Sequence, residues 1–109
     1  MQVLIVDDDI ATVDVIEKTV DWEKLEVFRV YTAYNITNAK KILLENTIDI
    51  IISDIEMPMG SGLDLLEWFR EEKLPGKFLL LTCHENFDYA TYAIKYRASE
   101  YLLKPFDVN

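Results

Sequence analysis

Five side chains of this sequence have types and positions suited to handling a phosphoryl group. Asp7 and Asp8 follow the apolar run Val3-Leu4-Ile5-Val6, and Asp54 follows Ile50-Ile51-Ile52 after one serine. Thr82 closes the run Phe78-Leu79-Leu80-Leu81, and Lys104 follows Tyr101-Leu102-Leu103. Carboxylates gathered at one rim repel one another, and a hard divalent cation relieves that repulsion. Mg²⁺ takes oxygen ligands, keeps several waters and typically binds one or two carboxylates together with a phosphate. A hydroxyl and a lysine ammonium are the donors that phosphoryl oxygens need. The set is an acid nest with one carboxylate available as nucleophile, a hydroxyl and a lysine. That is equipment for phosphoryl transfer to an aspartate.

The apolar runs that precede these residues supply the elements that must hold them. Short continuous runs of this kind read as strands buried on both faces, as in a parallel sheet. A weaker strand is expected over 27–32, rich in β-branched and aromatic residues. The fifth, Tyr101-Leu102-Leu103, is stopped by Pro105. Between the strands, apolar residues recur at three- and four-residue spacing: Ile10, Val13, Ile16 and Val20; Ile36, Ala39, Ile42 and Leu43; Leu63, Leu66 and Phe69; Phe87, Ala90 and Ile94. Each set predicts a helix with one apolar stripe facing a sheet. Ser61 and Asn86 are suited to cap the third and fourth helices, and Pro75-Gly76 marks the turn before the fourth strand. The resulting βαβαβαβαβ order predicts an α/β fold, a doubly wound five-stranded parallel sheet with right-handed crossovers. Ligands of such sheets bind outside the carboxyl ends of the strands, where strand order reverses. If the order is 2-1-3-4-5, the first and third strands are neighbours and the Asp7-Asp8 pair lies beside Asp54.

Composition narrows the classes further. The 109 residues fit one domain, large enough to bury about two-thirds of its surface without a staple. Twenty acidic against 11 basic residues give a net charge of −9, which argues against direct nucleic-acid contact and permits a metal cation. A single cysteine, Cys83, with no charged and apolar secretion signal, points to a reducing cytoplasm. No apolar run approaches the ~18 residues that span a bilayer, so no membrane role is expected. The three glycines form no G-x-G-x-x-G or G-x-x-x-x-G-K loop for a nucleotide.

Four motifs at the strand ends make the chain resemble the receiver domain of bacterial two-component response regulators. They are Val6-Asp7-Asp8, Ser53-Asp54-Ile55-Glu56-Met57-Pro58, Leu81-Thr82 and Tyr101-Leu102-Leu103-Lys104-Pro105-Phe106, and the resemblance spans residues 1–109. The stretches 20–25 and 87–96 further resemble receivers joined to AraC-type DNA-binding regions. The resemblance implies that Asp54 accepts a phosphoryl group from a sensor histidine kinase. Asp8 would be a direct Mg²⁺ ligand, Asp7 would act through metal-bound water, and Asp54 with the main-chain carbonyl of Glu56 would complete the ligand set. Thr82 and Lys104, the latter aimed by a cis Lys-Pro step, would bind the phosphoryl oxygens. Tyr101 would be the aromatic switch that reshapes the face of the fourth helix and fifth strand to control a covalently linked, DNA-binding output domain. Asp9 is left out of this site, because an acid there simply suits the start of the first helix. His84 and Glu56 would border the phosphoryl group, with His84 read as a solvated loop residue. Arg97 and Glu26 stand where receivers often carry glycine.

Two other readings stay open at this point. A haloacid-dehalogenase-like phosphatase also uses Asp, Thr or Ser and Lys with Mg²⁺, and Asp7-x-Asp9 mimics its D-x-D. The usual G-T that follows is Ile10-Ala11 here, and there is no room for a cap domain. A non-phosphorylated pseudo-receiver, acting as an interaction module, is the third. The receiver family closes with a fifth helix, of which 106–109 could at most begin the first turn. A chain truncated there is expected to expose one sheet flank and to form a homodimer or a segment-swapped dimer.

Overall fold

The computed structural model describes residues 1–57, 60–82 and 87–103. Among the described residues nine elements alternate: β1 (Gln2–Val6), α1 (Ile10–Thr19), β2 (Arg29–Ala33), α2 (Ile36–Glu45), β3 (Ile50–Asp54), α3 (Gly62–Glu71), β4 (Lys77–Thr82), α4 (Phe87–Lys95) and β5 (Glu100–Leu103). The strands form one sheet in the order β2-β1-β3-β4-β5, every pair parallel. This is the doubly wound sheet that the alternation of apolar runs predicts.

Side chains alternate across the sheet and fill two layers. Leu4, Val6, Ile51 and Leu80 join Ala39, Leu43, Leu65, Leu66 and Phe69 on the side of α2 and α3. There the rings of Phe69 and Phe78 meet at 5.5 Å, tilted by 57°. Val3, Ile5 and Leu81 pack with Val13 and Ile16 of α1 on the other side. Helix starts are set by side-chain caps. Asp9 accepts from the Ala11 amide, Asn35 from Asn38, and Ser61 and Asp64 form a reciprocal capping box. Among the described residues, no helix is long and apolar enough to cross a membrane.

Three details depart from the sequence reading. The second strand begins at Arg29, not Val27; Val27 is buried in the preceding loop, where its amide bonds the Trp22 carbonyl at 2.8 Å. Ile10 is 64% exposed, because α1 sends Val13 and Ile16 into the core and Ile10 lies in its first turn beside the cap. Ile94 is 79% exposed, because α4 turns Tyr89, Tyr92, Ala93 and Tyr96 inward instead. The Asn86 cap, Cys83, His84, Lys104 with its Lys-Pro step, and the start of a fifth helix lie outside the described residues.

The inward face of α4 is tied to α3 by polar contacts. Both the Tyr92 and Tyr96 hydroxyls donate to the Glu67 carboxylate, the second at 3.0 Å. The Arg70 guanidinium donates to the carbonyls of Tyr96 and Arg97 at 3.1 and 2.7 Å, capping the end of α4. The bond to Glu67 holds the Tyr92 phenol above its usual range. A raised folded value means that this contribution is full below about pH 10, the unfolded tyrosine value, and fades as pH rises beyond it. Glu67→Ala leaves two half-buried phenols without their acceptor and is expected to cost about 1–2 kcal/mol in urea denaturation.

Glu26 and Arg97 both adopt left-handed backbone, with φ of 63° and 57°. A side chain there costs roughly 1 kcal/mol that glycine avoids. Glu26→Gly is therefore expected to raise stability by about 0.5 kcal/mol in the same assay, after the larger chain entropy of unfolded glycine is subtracted.

Candidate functional site

Parallel register brings the acidic residues together. Val6 of β1 pairs with Ser53 of β3, so the residues that follow, Asp7 and Asp54, emerge side by side at the carboxyl edge. Strand order reverses there, between β1 and β3. Carboxylate oxygens of Asp7, Asp8 and Asp54 lie within 4.8 Å of one another. Asp7 and Asp54 are buried, at 2% and 5% exposure, while Asp8 is exposed. The Asp9 amide donates to Asp7 Oδ1 at 3.0 Å and fixes that carboxylate, and the Asp7 amide is held by the Ala33 carbonyl at 3.1 Å.

This donor set suits a hard cation. All three side chains offer oxygen, two are held by buried strand ends and one opens to water. Oxygens on a common six-coordinate Mg²⁺ sit roughly 3–4 Å apart, close to the spacing present. Asp9 stands apart, as expected. Its Oδ1 accepts from the Ala11 amide at 3.0 Å and its Oδ2 from the Thr12 hydroxyl at 2.9 Å, so both oxygens serve the first turn of α1.

Asp54 is held from below by close backbone packing. The Gly62 amide donates to the Ile55 carbonyl and the Ile55 amide to the Leu81 carbonyl, both at 3.0 Å. The Ser53 hydroxyl caps the Asp54 carbonyl at 3.0 Å. Gly62 approaches so near that a Cβ there would stand 2.1 Å from the Asp54 carbonyl oxygen. Glycine is required by proximity at this position, and an S-G pair opening a helix just after the aspartate loop is the only sequence signal of it.

Thr82 ends β4 one residue past Leu81, the partner of Asp54, and is fully buried. Its hydroxyl donates to the Glu56 carboxylate. Glu56 is half-buried, and its Oε2 has no hydrogen-bond partner among the described residues. The resemblance implies a main-chain role for Glu56 and a place beside the phosphoryl group; no motif in the sequence signals its side-chain bond to Thr82. Tyr101 is half-buried in β5 and packs against the α2–α3 core layer. It borders a groove of about 230 Å³ with Ala90, Ala93, Ile94, Ala98 and Glu100. Lys104, the remaining expected site residue, lies outside the described residues.

Known proteins resemble this chain in sequence and fold. The profile of the response regulator receiver domain matches residues 3–109. A response regulatory protein of Staphylococcus epidermidis is 30% identical over 106 residues, covering 97% of this chain and 41% of that protein. The transcriptional regulatory protein YesN of Bacillus subtilis is 30% identical over 104 residues, 95% of this chain and 28% of YesN. The receiver domain of AraT, a response regulator from Geobacillus stearothermophilus, superposes with a TM-score of 0.86 at 31% identity, over 97% of this chain and 82% of that one. The chain thus spans less than half the length of these curated relatives. Its sheet order, its acidic edge and these matches lead to one conclusion: the chain belongs to the response regulator receiver domain family.

Proposed function

We propose that this receiver is a phospho-accepting switch in which Asp54 takes a phosphoryl group from a sensor histidine kinase. The observation that carries the reading is the cluster of Asp7, Asp8 and Asp54 at the carboxyl edge, with the Asp54 carboxylate at its buried side. In the transfer, an Asp54 carboxylate oxygen forms a bond to phosphorus as the phosphorus–nitrogen bond to the kinase histidine breaks, and the imidazole leaves with a proton. Asp8 and Asp54 would hold Mg²⁺ directly, with Asp7 acting through a bound water and the Glu56 carbonyl completing the set. The ion supplies charge neutralisation for the three carboxylates and the incoming phosphoryl oxygens. Thr82 and Lys104 would then bind those oxygens. Tyr101, beside the α4–β5 groove, would turn with Thr82 and alter that face.

The same reading assigns the output to a linked domain outside this segment. YesN is named a transcriptional regulator, which favours a DNA-binding output, while the acidic charge of this segment disfavours its own contact with DNA. The pair would operate in the cytoplasm. Receiver domains are signalling modules, so the only chemistry assigned to this chain is its own phosphorylation and dephosphorylation. The phosphatase reading would need Asp7 and Asp9 to face one substrate. Both Asp9 oxygens are engaged by α1, which supports the receiver reading over it. Incubation with acetyl phosphate and Mg²⁺ is expected to add one phosphoryl group to the intact mass. Addition that persists in EDTA, or none with Mg²⁺, would count against the proposal.

A further inference from the structure

The bond between Thr82 and Glu56 conflicts with the role proposed for Thr82. A hydroxyl carries one proton. While that proton is given to Glu56, it cannot be given to an oxygen of a group on Asp54. Thr82 is also fully buried, so its hydroxyl is closed to solvent while it is bonded to Glu56. The bond to Glu56 is charge-assisted, because a carboxylate accepts more strongly than a neutral oxygen. Glu56 depends on it as well, since its second oxygen is buried and without a partner among the described residues. Breaking the bond therefore removes the Thr82 donor from a half-buried carboxylate.

We infer that Glu56 is a positioning residue that latches the unphosphorylated state by holding the Thr82 hydroxyl away from Asp54. The inference rests on the reading of Asp54 as phosphoacceptor. Phosphoryl capture then requires a proton donation to be exchanged, from the Glu56 carboxylate to a phosphoryl oxygen. The apparent affinity for a phosphoryl group falls by the fraction of molecules in which Thr82 is already released. A charge-assisted bond of ordinary strength makes that factor about tenfold or more.

Beryllofluoride with Mg²⁺, a stable phosphoryl mimic, tests this by titration calorimetry on the whole chain. Glu56→Ala is expected to bind about tenfold more tightly than the native protein. Glu56→Gln should fall between them, because its amide oxygen still accepts from Thr82 without charge. Thr82→Val should bind more weakly, and adding Glu56→Ala to it should bring no gain. Unchanged or weaker binding by Glu56→Ala overturns the latch, as does a gain that survives in the Thr82→Val background, which would be simple charge repulsion. Equal gains in Glu56→Ala and Glu56→Gln overturn it for the same reason. Failure of the native protein to bind beryllofluoride, or equal binding by Asp54→Asn, instead overturns the phosphoacceptor reading and the latch with it.

Discussion

Asp54→Asn is expected to abolish phosphoryl incorporation from acetyl phosphate in Mg²⁺, a loss of about a thousandfold or more, and to stabilise the metal-free protein. The first effect follows from chemistry. An amide oxygen at this position is a poor nucleophile, and losing a nucleophile costs orders of magnitude that neighbouring groups do not restore. The second follows from charge. Three carboxylates within 4.8 Å of one another repel, by roughly 3 kcal/mol for each ionised pair at an effective dielectric constant near 20. The other contacts of these side chains offset part of that, leaving an expected gain of about 1 kcal/mol on neutralising Asp54. If Mg²⁺ binds only the folded state, it is expected to raise the melting temperature of the native protein by mass action, and the variant should lose most of that response. Thermal denaturation in EDTA and in graded Mg²⁺ reads both. A variant less stable than the native protein in EDTA, with an unchanged Mg²⁺ response, would contradict the electrostatic picture.

Gly62→Ala carries the largest expected structural effect. Its added methyl would stand 2.1 Å from the Asp54 carbonyl oxygen and 2.9 Å from Ser53 Oγ. Backbone lies on both sides of this contact, and the Gly62 amide is itself bonded to the Ile55 carbonyl at 3.0 Å. The start of α3 and the end of β3 must therefore part to admit the methyl. The expected cost is about 3 kcal/mol, the upper range for overpacking. Because the displaced strand end is Asp54 itself, phosphorylation should also fall by about a hundredfold, as it does when reacting groups are misplaced by an ångström. Gly60 provides the comparison. An added methyl there meets the flexible tip of Ile36 at 2.9 Å, although the backbone at φ 123° disfavours any side chain. Gly60→Ala should lose stability without a comparable loss of phosphorylation. Urea denaturation and labelling on the same two variants separate the effects.

Much of the fold was legible because its signals are local. Runs such as Ile50-Ile51-Ile52 need no knowledge of distant residues to read as buried strands, and Asp54 follows from the end of one. The pairing of Asp7 and Asp8 with Asp54 depended on strand order, which the alternation of elements leaves open; the order 2-1-3-4-5 entered as a condition, and the structure has it. The inward face of α4 departs from the expected stripe at Ile94 because tyrosine is amphipathic. Tyr92 and Tyr96 bury their rings while their hydroxyls reach Glu67, and Ile94, counted as an inward apolar residue, is exposed instead. The Glu56–Thr82 bond joins residues 26 positions apart through side chains alone, and no periodicity records such a contact. Glu26 and Arg97 were noticed as departures from glycine, and their left-handed backbone gives the physical reason that glycine suits those positions.

Peptide mapping of the phosphorylated chain tests the central claim most directly. After labelling with acetyl phosphate in Mg²⁺, the account predicts a single added phosphoryl group, found on the peptide that contains Asp54 and absent when EDTA is present. A phosphoryl group mapped instead to the peptide carrying Asp7 and Asp8, or labelling that persists in Asp54→Asn, would contradict it.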